Sequence, residues 1–163
     1  KKDGVLLKSG VNIPVRKYES ETLVVDWLIA CSLWKFSEIG KTRFESDFKG
    51  ASIGEDVIFS LRMSRKGKLI TSPRVILNHI ESPEARDNLY RQWEMWVINR
   101  HRIIDVAQFK LKGVLAFWWA NLGQFLIHFV VGLKNKEFKS RSVESMKGIA
   151  SGTKKLIRNK FEN

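Results

Sequence analysis

Twenty consecutive residues without a formal charge, "VLAFWWANLGQFLIHFVVGL" at 114–133, set the tightest limit on what this chain can fold into. Lys110 and Lys112 precede them, and Lys134 and Lys136 follow. A helix of that length rises about 30 Å, enough to cross a hydrocarbon core. Three arrangements accommodate it: a helix spanning a bilayer, one lying in the membrane interface, or one buried in a soluble core. Asn121, Gln124 and His128 recur at spacings of three and four, which draws one polar stripe along an otherwise apolar cylinder. The adjacent Trp118 and Trp119 and the flanking lysines suit the headgroup region. The expectation is therefore an interfacial helix, with the spanning and buried forms as alternatives.

Charge supports the same end of the chain. The net charge is +12, and from Lys110 onward eleven Lys/Arg stand against three Asp/Glu, while the first 109 residues carry eighteen against fourteen. A locally basic tail points to an anionic partner, either nucleic acid or the negative face of a membrane. The tail's aromatics cluster in the apolar run instead of alternating with basic residues, so nucleic-acid stacking is not expected. The stretch "KSRSVESMKGIASGTKKLIRNK" sets Val143, Met146, Ile149 and Leu156/Ile157 on a weakly amphipathic basic pattern that would strengthen adhesion to anionic lipid.

With 163 residues, 44% of them hydrophobic, the chain can bury one core and append helices. The division expected is 1–109 as the folded core and 110–163 as a membrane-associating tail. Cys31, the single cysteine, excludes an internal disulfide and suits a reducing compartment. The opening "KKDGVLLKSG" lacks the apolar core of a signal peptide and an initiator methionine, so the chain is expected to begin partway through a longer protein.

Along the core, residues 1–22 read as an extended or loop segment broken by Gly4, Gly10 and Pro14. "TLVVDWLIACSLWKF" (22–36) is too short to span a bilayer and reads as a buried strand entering a turn or helix, interrupted by Asp26. After a loop over 44–54, Val57, Ile58 and Leu61 predict a helix from Glu55 to about Lys66, stopped by Gly67. "KLITS" and "RVILNH" predict strands on either side of Pro73. Ser82-Pro83-Glu84 supplies a cap, a first-turn proline and a first-turn acid for a helix running to about Val106. Strand, helix, strand pair and long helix together predict an α/β layer.

The adjacent acids Glu55 and Asp56 at a helix start have an ordinary explanation. First-turn carboxylates interact favourably with the helix dipole, worth roughly 0.3–1 kcal/mol each. Their company suggests more. "VDWLIACSLWKF", "FESDFKGASIGEDVIFSLRMSRKGKL", "SPRVILNH" and "VINRHR" follow one another between Val25 and Arg102. In order and spacing these blocks resemble the C-terminal half of the catalytic domain of family 2 glycosyltransferases, enzymes of the GT-A fold. Ala30 stands where the family has glycine, Lys35 where it has arginine, and Met95 in "QWEMW" where processive synthases have arginine, which disfavours a processive polymerase.

The resemblance implies inverting transfer from a nucleotide-sugar donor to a saccharide or lipid-linked acceptor at the cytoplasmic face of a membrane. It implies Asp56 as the base that takes the acceptor hydroxyl's proton, with Glu55 orienting the acceptor or its loop. It implies His79 near a divalent cation (Mg2+ or Mn2+), and Lys35 and Arg100 as diphosphate contacts; Arg62 fits better as an ion-pair partner on the helix surface. The family's Asp-x-Asp metal motif is absent from this sequence, so the donor-binding half is expected outside it. The reading of a different class is a non-catalytic basic module that binds membranes.

Overall fold

The computed structural model describes residues 3–15, 21–45, 48, 53–74 and 88–161. It opens with a hairpin where the sequence predicted only irregular chain: β1 (Val5–Leu6) pairs antiparallel with β2 (Asn12–Ile13). Two-residue strands are too short to show a period. The hairpin is held by its turn, where Gly10 takes φ +77° and donates to the Leu7 carbonyl at 2.9 Å. A side chain at Gly10 would meet the Arg100 carbonyl at 2.7 Å, so the turn rests directly on a helix backbone.

The apolar run at 22–36 begins as β3 (Leu23–Val25) and continues without regular structure to α1 (Phe36–Ile39). Asp26, the acid that interrupts it, accepts from the Leu6 N–H at 2.8 Å and so ties the hairpin to the end of β3. β3 pairs antiparallel with β4 (Leu69–Thr71), Val24 opposite Ile70. Between them lies α2 (Glu55–Ser64). Phe59 and Met63 of α2 pack on Val25 and Leu69, and Val57 and Ile58 turn toward Trp27 and Ile103. Ser60 is fully buried yet satisfied, since its hydroxyl accepts from the Leu28 N–H at 2.9 Å.

Strands and helices are thus mixed, with helix predominating and small antiparallel ladders. The mixed sheet expected over 24–80 is not seen among the described residues, whose two ladders each have two antiparallel strands. The second predicted strand after Pro73 and the predicted helix start at Ser82 lie outside the described residues. The helix itself is α3 (Leu89–Val106), capped by Asn88, whose Oδ1 accepts from the Arg91 N–H at 2.9 Å.

A turn with left-handed Gln108 and Lys110 leads to α4 (Lys110–Lys134), and α5 (Lys139–Phe161) returns along α3. The inner face of α5 is built mostly from small residues. Ser142, Ser145, Gly148, Ile149 and Gly152 are buried, while Ala150 and Ile157 are exposed. Small residues win because the backbones approach closely. Added Cβ atoms at Gly148 and Gly152 would lie 2.8 Å from the Cβ atoms of Trp93 and Val97 respectively. Val97, Ile104, Phe117 and Ile149 form the core shared by α3, α4 and α5.

Candidate functional site

The two acids open α2 directly after Gly54, which takes φ +91°. This left-handed junction is fixed from α3. Asn99 Nδ2 donates to the Ile53 carbonyl at 2.7 Å, and a side chain at Gly54 would meet Ile103 Cδ1 at 3.2 Å. Asn99 is a positioning residue that the sequence analysis quoted within "VINRHR" without giving it a task. Its partner is 46 positions away, and no local signal announces such a bond.

Asp56 is half-buried, and its Oδ1 accepts from the Val57 N–H at 2.8 Å. Burial pushes its carboxyl up from the ordinary carboxylate range, and the neighbouring Glu55 adds to the effect, against the lowering from the backbone hydrogen bond. A carboxylate that holds its proton more tightly than usual is a better base once ionised.

The other implied contacts are dispersed. Arg100 follows Asn99 on α3 but turns elsewhere: it is 8% exposed, with its guanidinium over the Trp96 ring at 4.4 Å. Burial lowers its pKa to about 10, so it stays charged at neutral pH. Its Nε is buried without a hydrogen-bond partner among the described residues. Lys35 is 76% exposed and pairs with Glu38 at 3.2 Å ahead of α1. It lines a small cleft of about 170 Å³ with Trp34 and Met63, away from the acids. Arg62 pairs with Glu45, as a helix-surface cation should. His79 lies outside the described residues.

Glu55 and Asp56 supply two carboxylates, and no group of three or more potential ligands for a metal ion occurs among the described residues. The cation ligands that the resemblance implies, His79 and an Asp-x-Asp pair, fall outside these residues. Two clefts, of about 790 Å³ beside the α3–α4 turn and about 760 Å³ beside residues 41–45, are lined by neither acid.

The second feature is α4. Its polar stripe points inward. Asn121 is buried and donates to the Phe117 carbonyl at 3.1 Å, Gln124 meets His128 at 3.2 Å, and His128 stands edge-on to Trp93 at 4.8 Å. The apolar side faces out: Leu111, Leu115, Leu122, Leu126, Ile127 and Leu133 are half or more exposed, and Trp119 is 77% exposed. The helix is long and apolar enough to associate with a membrane. An exposed apolar surface of this extent is unusual on a water-facing protein.

No family model, curated protein or solved structure matches the chain.

Proposed function

We propose that the chain is the acceptor-side half of an inverting, nucleotide-sugar-dependent glycosyltransferase, seated on the cytoplasmic face of a membrane by α4. The observation that carries the catalytic part is the α2 junction. A half-buried carboxyl with a raised pKa opens a helix from a glycine turn, and a second helix pins that turn. A sugar hydroxyl is too weakly acidic to attack the anomeric carbon unaided, and a fixed carboxylate can remove its proton as attack proceeds. Asp56 takes that role and Glu55 orients the acceptor. Arg100, which the resemblance implies as a diphosphate contact, is buried over Trp96 and has no part in this reading. When bound, a divalent cation would offset charge on the leaving diphosphate, with His79 the ligand that the resemblance implies.

The test is made on the protein together with the donor-binding half that this reading places ahead of it. Asp56→Asn keeps size but cannot take the proton, and turnover drops by about 10²–10⁴-fold while donor affinity holds. Glu55→Gln costs less. An Asp56→Asn protein that turns over at nearly the original rate returns the pair to helix punctuation.

A second reading has its own support. The outward apolar face of α4 with its lysine rim serves a purely membrane-binding module equally well, with no chemistry at Asp56. Such a module binds vesicles and transfers no sugar.

A further inference from the structure

Cationic side chains gather at the other end of α2. Lys41, Arg43, Arg62, Arg65, Lys66 and Arg102 line an open basin of about 760 Å³, together with Thr42, Phe44 and, among the described residues, one carboxylate, Glu45. Glu45 is committed: it pairs with Arg62, and its Oε2 lies 2.7 Å from Arg102. Lys66, Arg43 and Arg65 are held by neutral oxygens. Lys66 Nζ donates to the Glu38 carbonyl at 2.7 Å, the Ile39 carbonyl at 3.1 Å and Thr42 Oγ1 at 2.9 Å. Arg43 Nη1 donates to the carbonyls of Gly40 at 2.7 Å and Thr42 at 2.9 Å. Arg65 Nη2 donates to the Val106 carbonyl at 2.9 Å.

Carbonyl oxygens fix a cation's position without neutralising its charge. Here they hold several like charges side by side, an arrangement that repels itself and favours a counter-charge. Lys66 has its three N–H groups engaged and contributes field alone. Arg43 and Arg65 keep further N–H groups, unengaged among the described residues, in the planar fork that matches phosphate oxygens, and exposed Lys41 adds an ammonium. One face of the Phe44 ring is stacked on Phe59 at 4.1 Å, so the basin does not offer the row of open aromatic faces that a nucleic-acid strand uses.

We infer that this basin binds a ligand carrying two or more linked phosphate groups, at a place distinct from Asp56. Arg65, the C-cap of α2, lies nine positions after Asp56, a rise of about 14 Å. The inference does not rest on the glycosyltransferase reading. The same diphosphate chemistry can arrive free in solution or on a lipid anchor.

Isothermal titration of the full chain with inorganic pyrophosphate tests it, beside flotation with neutral vesicles that do or do not carry a long-chain alkyl diphosphate. The paired change Lys41→Gln with Arg43→Gln should lower affinity by at least about tenfold. Lys41→Gln alone, which removes none of the hydrogen bonds above, should lower it by about threefold. Arg91→Gln, at the far end of α3, should leave it unchanged. Equal affinity for pyrophosphate and the alkyl diphosphate supports a soluble source; binding to diphosphate-bearing vesicles in excess of that to plain neutral ones, with the excess lost in the paired variant, supports a lipid-borne one. Binding to neither, or binding indifferent to both basin variants, overturns the inference.

Discussion

Asp56 and Glu94 are both partly buried carboxyls, and their environments drive them in opposite directions. Burial raises Asp56. For Glu94 burial also opposes ionisation, but hydrogen bonds from Lys155 Nζ at 2.9 Å, from Ser151 at 2.6 Å and from Tyr90 outweigh it, and its pKa is lowered. The linkage signs follow. Glu94 contributes stability that is present above the unfolded carboxylate pKa and is lost as pH falls through its folded value. Glu94→Gln therefore melts below the parent at neutral pH, and the gap closes in acid. Asp56 behaves inversely: ionising it in the fold is unfavourable, so its cost appears as pH rises through its raised pKa. Asp56→Asn should melt no lower than the parent at neutral pH, with any advantage shrinking in acid. Thermal melts across pH 3–8 check both, and a stabilising loss of a carboxylate is the mark of a group kept for function rather than for folding. At this scale the two acids were legible from "GED". Asn99 and the Glu94–Ser151–Lys155 cluster were not, because each joins residues from distant parts of the chain.

Helices α2 and α4 were legible because their apolar or polar residues recur at the helical period over enough turns. The β3 and β4 strands were legible in part, as short branched runs. The hairpin escaped because two residues carry no period, and the inner face of α5 escaped because its packing rests on what is missing from its side chains. That difference is measurable. A Cβ at Gly148 lies 2.8 Å from Trp93 Cβ and presses on the Tyr90 carbonyl, whereas nothing stands within 4 Å of one at Gly123 on α4. Gly148→Ala should destabilise by about 1–3 kcal/mol through overpacking, and Gly123→Ala should stabilise by up to about 1 kcal/mol through helix propensity. Denaturant titrations giving the two changes the same sign would contradict the close approach of α3 and α5.

For the whole molecule, the sequence showed that α4 was long, apolar and bordered by lysines, but not which way its polar stripe would turn. Only α3 and α5 decide that, by taking Asn121 and His128 inward and leaving Trp119 outside. The packing of basic, glycine-lined α5 on α3 and α4 also argues against a spanning α4, since its lysines would be carried into hydrocarbon. Vesicles of anionic lipid bearing brominated chains should quench Trp119 and leave Trp27, which is buried beside α2, unaffected. Added salt should weaken the association, because basic groups supply part of the attraction. An unquenched Trp119 would remove α4 from the membrane.

The proposal is that the chain is half of a sugar-transferring enzyme seated on a membrane rather than a passive anchor. Release of nucleoside diphosphate from a nucleotide-sugar, followed on vesicles with the donor half present and with and without a saccharide acceptor, tests it most directly. The account predicts release that requires the acceptor and falls by about 10²–10⁴-fold in Asp56→Asn, with vesicle binding unchanged. Full vesicle binding without acceptor-dependent release from the parent protein would contradict it.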